Sequence, residues 1–361
     1  MEKFGPEEIF IEKSVLNSTL AGSVIKKFSR AKISEVATIK NYLKETPAVS
    51  IDRAKKRLFI ARKKGGFIKP CPGTPRYLCC NYYILDLGFG CFYDCCYCYL
   101  QVYSNFPGII LYANLDDFFQ AVEQFLKRNP SLFYRLGTGE FTDSLAFENI
   151  YSYARELIPF FAHKKIMLEL KTKSDYVDNL LDLAHGGRSV ISWSLNPPLI
   201  IKNEEKGSVP LDRRLKAART CIQAGYPVGF HFDPIITYPG WEEDYRWTVE
   251  EIFRYVSAES IVWISLGTLR FPPALKDIIA RRFPGTKIIY AEFITGLDGK
   301  RRYFKPKRIE IYQKMVSWIK EIAPKVPLYL CMESQDVWKK VFGFSPGNPR
   351  EVERIFFGIK D

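Results

Sequence analysis

The chain lacks any apolar run long enough to cross a membrane. A spanning helix needs roughly 18 or more consecutive apolar residues, and no stretch of the 361 residues reaches that length. The N-terminal stretch MEKFGPEEIFIEK is charged and lacks the apolar region of a secretory signal. The nine cysteines are clustered rather than spread out as a disulfide framework, which favours a reducing compartment. We therefore expect a cytoplasmic, monomeric protein that makes no membrane contact.

The sequence also lacks the second cysteine pair that a zinc knuckle requires. Cys95–Cys98 has the C-x2-C spacing, but Cys79-Cys80 are adjacent and Cys71 is distant from them. A structural zinc site takes four ligands, normally as two such pairs. A thioredoxin-like redox pair would leave Cys91 unexplained. The cysteine pattern therefore calls for a different chemistry.

The most informative stretch is Gly90–Leu100, which reads GCFYDCCYCYL. Cys91, Cys95 and Cys98 have the spacing C-x3-C-x2-C, and three thiolates on one loop can hold three irons of a [4Fe–4S] cluster. The fourth iron then keeps open positions for a reacting ligand. This spacing is the signature of the radical S-adenosylmethionine (SAM) enzymes, in which the cluster cleaves SAM to a 5′-deoxyadenosyl radical. We predict these three cysteines as cluster ligands, with SAM as the second cofactor, and we interpret Cys96 as a bystander.

The charge balance points to a polyanionic partner. The net charge is +13 and the isoelectric point is near 9.2, which favours nucleic acid. The cations are concentrated in Arg53–Lys64 and in Lys300–Arg308, and the second run places Tyr303 and Phe304 among six cations. Basic groups with interleaved aromatics suit phosphate contact and base stacking. A solvated charged surface is the alternative for each run, and it stays open.

The apolar pattern predicts an α/β protein. From residue 79, short apolar runs alternate with amphipathic stretches, which is typical of βα units around a parallel sheet. The predicted strands are 82–87, 133–136, 166–170, 190–195, 228–232 and 261–266. Six repeats predict a partial (β/α)6 TIM-type barrel of the radical SAM class. Residues 1–78 form a basic N-terminal α/β extension, 79–271 the barrel, and 272–361 a basic, aromatic region that contacts the substrate and contains a strand at 328–330.

Three local predictions accompany this fold. The run Val36–Ile39 is predicted as a strand, Ser174–Leu183 as a helix, and Asp233-Pro234 as the end of the fifth barrel strand. In such barrels the chemistry lies at the C-terminal ends of the strands. His231 and Asp233 lie at such an end, where alternation would point both the same way. They would form an acid–base pair or a substrate contact, and a merely structural polar pair is the alternative.

Matching segments along most of the chain show that it resembles the spore photoproduct lyase family, whose members are radical SAM enzymes of DNA repair. These segments occur in the expected order and are IFIEKSVLN, RAKKRL, Cys96–Gln101, Thr172-Lys173, Val177-Asp178, Ser194–Asn196, Ala217–Arg219, Ala224–Tyr226, Gly240–Glu242 and Arg302-Tyr303. The family abstracts a hydrogen atom from the methylene bridge between two thymines, and the bridge then fragments. A reductant such as a flavodoxin or ferredoxin is implied.

The resemblance also implies roles for individual residues. Tyr97 would lie near the SAM adenine, and Tyr99 would relay a hydrogen atom. Further SAM contacts are implied for Thr142, Lys173, Ser194 and Asn196. Arg302 and Tyr303 would contact the DNA lesion, and His231 is a further candidate for substrate binding.

One position departs from the family pattern. Glu140 stands where the family carries a cysteine that donates a hydrogen atom, and a carboxylate is a poor donor because its O–H bond is much stronger than a thiol S–H bond. Gly139-Glu140 resembles instead the Gly-Gly-Glu motif with which other radical SAM enzymes contact the SAM amino group. A solvated acid at the strand end is the alternative. Cys331 is one candidate replacement donor and Cys96 is another, and a buried, inert cysteine is the alternative for each. A second cluster on Cys331 and the cysteines at 71, 79 and 80 also stays open.

This departure leaves the substrate open. The first hypothesis is hydrogen abstraction from a nucleic acid, in the repair of a lesion of the spore photoproduct type. A second keeps SAM cleavage but changes the substrate to a modified base, RNA or a peptide. A third is a nucleic-acid-binding module that bears a cluster and has no turnover.

Overall fold

The structure is a computed structural model that describes residues 5–73, 77–102 and 108–357. Within these residues the chain forms eighteen strands and twelve α-helices. The strands are β1 (Glu8–Glu12), β2 (Lys32–Val36), β3 (Arg57–Ala61), β4 (Ile68–Pro70), β5 (Tyr82–Leu85), β6 (Gly88–Phe89), β7 (Asp94–Cys95), β8 (Ile109–Tyr112), β9 (Tyr134–Gly137), β10 (Ile166–Thr172), β11 (Ser189–Ser194), β12 (Glu205–Lys206), β13 (Val228–Ile235), β14 (Ile261–Thr268), β15 (Arg270–Phe271), β16 (Phe293–Thr295), β17 (Arg301–Tyr303) and β18 (Leu328–Leu330). The α-helices are α1 (Thr19–Lys27), α2 (Ile39–Glu45), α3 (Ile51–Ala54), α4 (Leu115–Arg128), α5 (Ala154–Phe161), α6 (Pro198–Glu204), α7 (Leu211–Gln223), α8 (Trp241–Tyr255), α9 (Pro273–Arg282), α10 (Lys305–Ile322), α11 (Gln335–Phe342) and α12 (Pro349–Phe357).

The largest sheet is a curled half-barrel of eight strands in the order β18-β14-β13-β11-β10-β9-β5-β4. Every neighbouring pair from β5 to β18 is parallel, and β4 adds an antiparallel edge. The predicted partial barrel and all six of its predicted strands are confirmed. The seventh parallel strand, β18, comes from the C-terminal region.

A second sheet of five strands has the order β2-β1-β3-β8-β6. Its central strands, EIFIE and RLFIA, are almost entirely buried. The strand β8 was not predicted, and it runs parallel to β3 with Ile110 opposite Phe59. Because β5 belongs to the barrel and β6 and β8 to the second sheet, the cysteine loop that follows β6 is tied to both sheets.

Three local predictions are wrong. Val36 ends β2, and the residues after it start α2, whose N-cap Thr38 accepts a hydrogen bond from the Asn41 amide. Residues 174–183 contain only a short 3-10 turn at Asp178–Leu180, because the Ser174 hydroxyl accepts from the Tyr176 amide and competes with a helix. The strand β13 continues to Ile235 through a shift in register.

One hydrophobic core extends through all three predicted segments, from Ile9 to Phe356. Strands also cross the predicted boundaries, since β4 and β18 join the barrel sheet and β15 pairs with β17. In the part of the chain that the structure describes, we find no helix of the length and apolar character that crossing a membrane requires.

Candidate active site

The cysteine loop lies against a pocket of about 500 Å³. Cys91 and Cys98 line this pocket together with Lys55, which follows α3 in the second sheet's half of the molecule. Burial raises the pKa of the Cys91 thiol to about 12, and it raises the pKa of Cys95 and Cys98 as well. These thiols are therefore neutral unless a metal ion displaces their protons.

The loop is held by side chains on several sides. The Gln101 amide donates to the carbonyls of Cys96 at 2.7 Å and of Cys95 at 3.3 Å. The Thr142 hydroxyl donates to the Gly90 carbonyl at 2.8 Å. Cys96 itself is fully buried and donates its S–H to Glu204 at 2.8 Å. Its thiol thus has a partner away from the other three cysteines.

Cys91, Cys95 and Cys98 offer the thiol donors that a [4Fe–4S] cluster takes. Among residues 5–73, 77–102 and 108–357, no group of three or more His, Cys, Asp or Glu side chains converges as single-ion ligands. A [4Fe–4S] cube takes one thiolate per iron, so its ligands are spread over three corners. Cys95 is buried, and Cys91 and Cys98 are half-buried beside the pocket. Three thiols on one tightly held loop suit that arrangement.

Three of the predicted SAM contacts, Tyr97, Lys173 and Asn196, converge on Glu205, a residue that sequence reasoning missed. Glu205 Oε1 accepts from the Tyr97 hydroxyl and, at 2.9 Å, from the Asn196 amide. Lys173 Nζ lies 3.3 Å from the same oxygen. Arg214, fully buried, donates to Glu205 Oε2 at 2.6 Å. Although burial acts to raise the pKa of Glu205, Lys173 and Arg214 hold it well below its usual value, so the carboxylate is ionised.

Backbone pairing brings Glu205 to the cysteine loop. The strand β12 pairs with β7, and this places Glu205 opposite Cys95. Arg214 also donates to the Ser194 carbonyl at 2.7 Å, which fixes the end of β11. Predicted site residues from three parts of the chain, the cysteine loop and the ends of β10 and β11, are therefore joined through one carboxylate.

Tyr99 and Glu140 form a second group at the barrel mouth. The Tyr99 hydroxyl lies 2.9 Å from the Glu140 carbonyl oxygen and 3.2 Å from its carboxylate. Lys171 Nζ lies 3.6 Å from the other carboxylate oxygen. At Gly139 an added Cβ would lie 2.7 Å from Lys171 Cβ, so the close approach of these strand ends requires glycine.

Cys331 follows β18 and faces the same end of the barrel. Arg270 binds the Asp233 carboxylate through two hydrogen bonds of 2.9 Å and approaches Cys331 Sγ at 3.4 Å. Burial and the Asp233 carboxylate raise the pKa of Cys331 well above its usual value. Lys171 connects the two groups, because Glu140, Asp233 and Cys331 all raise its pKa against the opposing effect of burial.

His231 and Asp233 have different partners. His231 is bonded to Glu169 at 2.7 Å and to Ser265 at 2.6 Å. Glu169 also binds Arg135 at 2.8 Å, deep in the barrel. Burial lowers the pKa of His231, despite the carboxylate beside it. The arrangement is a buried polar network, and the predicted substrate contact of His231 stays a prediction.

Arg302 and Tyr303 lie in β17 and are 1% and 2% exposed. Arg302 binds Asp298 at 2.6 Å, and the Tyr303 hydroxyl accepts from the Thr237 amide at 3.1 Å. Other cations of the same run have acidic partners too, since Lys305 pairs with Asp336 at 3.0 Å. Their predicted contact with a lesion stays a prediction, and Phe304, 53% exposed, is the aromatic of the run that reaches solvent.

Comparison with known proteins identifies the family of the chain. The family model described as spore photoproduct lyase matches residues 4–328. The chain belongs to the spore photoproduct lyase family. It is similar to the spore photoproduct lyase of Bacillus subtilis (strain 168), with 29% identity over 325 residues that cover 86% of this chain and 91% of that protein. A Geobacillus spore photoproduct lyase is 28% identical, over 84% of this chain and 88% of that protein.

Solved structures agree with this assignment. A spore photoproduct lyase variant with bound AdoMet and dinucleoside spore photoproduct superposes with a TM-score of 0.80 and 25% identity, covering 92% of this chain and 100% of that one. A spore photoproduct lyase complexed with dinucleoside spore photoproduct gives a TM-score of 0.79 at 26% identity, over 91% and 100% of the two chains. The protein is a radical SAM enzyme of the lyase type.

Glu148 provides a pH-dependent feature beside the site of this spore photoproduct lyase family member. It is 3% exposed, and it lines a small pocket together with Thr142 and Asp143. One carboxylate oxygen accepts from the Ala154 amide at 3.1 Å, and the other has no protein partner among the described residues. Burial raises the pKa of Glu148 to about 7, from the usual 4.5.

We expect Glu148 to make the free energy of unfolding depend on pH. Because the folded state holds this proton more tightly, the stabilisation is fully present below about pH 4.5 and is lost as the pH rises through about 7. Between pH 5 and pH 8 the wild type should lose roughly 2 to 3 kcal/mol relative to Glu148→Gln. Urea unfolding at both pH values measures this, with Glu156→Gln, at an exposed site of α5, as the control. An equal stability difference at both pH values would contradict the prediction.

Proposed function

We propose that this protein cleaves SAM at a [4Fe–4S] cluster and repairs a DNA lesion of the spore photoproduct type. The observation that carries the proposal is the convergence of Tyr97, Lys173 and Asn196 on Glu205, which lies opposite the predicted cluster ligand Cys95. The solved structure with AdoMet and the dinucleoside lesion, similar over 92% of this chain, supports the same reading.

Three cysteines would hold the cluster and the residues around Glu205 would hold SAM. When bound and reduced, these cofactors supply a 5′-deoxyadenosyl radical that abstracts a hydrogen atom. The chain contributes the orientation, because Glu205 fixes the Tyr97 hydroxyl, the Asn196 amide and the Lys173 ammonium in one charge-assisted network. Thr142 and Ser194 act at its edges, through the Gly90 carbonyl and the Arg214 guanidinium.

Tyr99 and Glu140 take separate parts of the family's hydrogen-transfer step. The Tyr99 phenol is held by Glu140 and stays protonated, because burial and Glu140 raise its pKa well above the usual value. A protonated phenol is the form that can relay a hydrogen atom. Glu140 positions this phenol and neutralises Lys171, and it is also available to a SAM ammonium at the same mouth.

Cys331 is the proposed donor that ends the reaction. Its raised pKa keeps the sulfur protonated near pH 7, and it is partly exposed at the mouth. Arg270 and Asp233 fix the thiol in place. A substrate radical within reach would take the hydrogen atom of this S–H bond, which leaves the unpaired electron on sulfur.

The predicted partners follow from charge and position. A net charge of +13 favours DNA as the substrate. With Arg302 and Tyr303 buried, we propose that they support the β16–β17 pair, and that exposed neighbours such as Phe304 reach the nucleic acid. A flavodoxin or ferredoxin would reduce the cluster.

An anaerobic assay tests the proposal. The cluster is reconstituted and reduced with dithionite, and SAM is added with DNA that contains the spore-type thymine dimer or with undamaged DNA. We expect 5′-deoxyadenosine in the first mixture together with repaired thymidine. An intact, reducible cluster that gives no 5′-deoxyadenosine would overturn the radical reading and leave a binding module.

One observation, Glu140 at the family's donor position, favours a different substrate. A carboxylate at the family's donor position is consistent with chemistry that needs no thiol at that point. This alternative predicts 5′-deoxyadenosine without repaired thymidine. The same assay with RNA and with a short peptide in place of the lesion distinguishes the two.

A further inference from the structure

Lys55 reaches the cysteine loop from the other sheet of the molecule. It follows α3, and its side chain is 22% exposed, whereas that of the adjacent Lys56 is 57% exposed. Lys55 Nζ donates to the Tyr93 carbonyl at 2.5 Å and to the Cys91 carbonyl at 3.2 Å. Asp94 lies 3.4 Å from the same nitrogen. All of its described polar partners therefore belong to the cysteine loop.

The Lys55 ammonium lies beside the proposed cluster ligands. It lines the same pocket as Cys91 and Cys98, so its charge faces two of the proposed cluster ligands. A largely buried charge is costly unless it is paired and hydrogen-bonded, and Lys56 on the next position simply pairs with Glu7 at the surface. Asp94 is shared with Arg282, at 3.0 Å, and so it only partly offsets Lys55.

We infer that Lys55 is a positioning residue of the cluster that also raises its reduction potential. Holding the Cys91 and Tyr93 carbonyls fixes the first ligand on the loop. A nearby positive charge stabilises the reduced cluster, which carries one more negative charge than the oxidised one. Net charge and hydrogen bonding are among the factors that set cluster potentials. The inference rests on the proposed cluster, and it adds a residue of the N-terminal region to that site.

The test compares Lys55→Met with Lys56→Met, two neighbouring lysines of the same run. Each protein is reconstituted anaerobically, its iron content is measured, and the potential is obtained from a titration followed by electron paramagnetic resonance. We expect Lys55→Met to make the reduction equilibrium at least tenfold less favourable, which for one electron is a decrease of 59 mV or more. We also expect faster iron loss to a chelator. Lys56→Met should match the wild type in both measurements.

Lys55→Arg separates charge from shape. It keeps the cation, so its potential should return most of the way to that of the wild type. A Lys55→Met protein with wild-type potential and wild-type iron loss would overturn the inference. The inference also fails if Lys55→Met and Lys55→Gln do not fold even without iron, as judged by circular dichroism, because the lysine would then be structural. If the wild type itself binds no cluster, the proposed function fails first.

Discussion

Replacing Cys98 with alanine should abolish 5′-deoxyadenosine formation. The same replacement of Cys96, two residues earlier, should leave 5′-deoxyadenosine formation unchanged. In the proposed reaction the radical forms only at the cluster, and enzymes commonly accelerate reactions by about a millionfold or more. Loss of one of the three proposed cluster ligands should therefore lower the rate by at least about a thousandfold. Spacing alone distinguishes the two cysteines in the sequence.

The structure gives a physical reason for the difference. Cys98 lines the pocket beside the loop. Cys96 is fully buried, its S–H donates to Glu204 at 2.8 Å, and its amide donates to the Glu204 carbonyl at 2.8 Å. Cys96→Ala should therefore cost about 1 to 3 kcal/mol of stability, because it leaves a buried carboxylate with one partner fewer.

Iron content and 5′-deoxyadenosine yield measure this prediction for the two variants side by side. Thermal unfolding of the iron-free proteins serves as the control for folding. Equal loss of iron from both variants would show that the C-x3-C-x2-C spacing does not identify the ligands. Full iron content in Cys98→Ala would have the same meaning.

The barrel could be predicted because its strands are buried on both faces. The strand β14, for example, reads as a short, nearly continuous apolar run, which is how parallel strands appear in sequence. The strand β8 has the same character, but it pairs with β3 from the N-terminal region, about fifty residues earlier. No local pattern specifies which sheet a short apolar strand will join.

The same limit explains why Glu205 was missed. It stands in the charged stretch NEEKGS, which reads as a surface turn. Its burial comes from Arg214 on α7 and from the pairing of β12 with β7, and neither contact is visible in the spacing of residues. The adjacent Glu204 is buried as well, but it binds Cys96 and Thr286 instead. Two neighbouring glutamates thus serve different parts of the loop.

The sequence gives the net charge of the protein, but it does not show which cations form ion pairs within the fold. The run Lys300–Arg308 suggested a phosphate-binding surface, yet Arg308 is buried against Glu333 at 2.9 Å and Arg302 against Asp298. Two of the six cations in this run are therefore buried and paired with carboxylates inside the protein.

Three residues predicted to contact SAM, Tyr97, Lys173 and Asn196, do lie together around Glu205, because they follow from ligand spacing and strand ends, which are local properties of the chain. Their predicted roles stay predictions.

The second large effect is expected at Cys331. Cys331→Ala should keep 5′-deoxyadenosine formation within a few-fold of the wild type and lower the yield of repaired thymidine at least tenfold. The cluster ligands and Glu205 do not contact this residue in any described hydrogen bond, and Asp233 and Arg270 keep their two mutual bonds without it. The variant therefore separates the start of the reaction from its end, and analysis of both products in one reaction mixture measures the two steps.

Two further variants make the Cys331 result decisive. Cys221→Ala removes a buried thiol from α7, and burial raises the pKa of this thiol. This variant should repair as well as the wild type. Glu140→Cys, introduced into Cys331→Ala, returns a thiol to the end of β9 beside the Tyr99 hydroxyl and should restore repair. Wild-type repair by Cys331→Ala would exclude Cys331 as the donor. Rescue by Glu140→Cys would instead mean that a substrate radical at the barrel mouth can take its hydrogen atom from a thiol at either strand end. The position of the donor would then differ from that in the family, while the chemistry stayed the same.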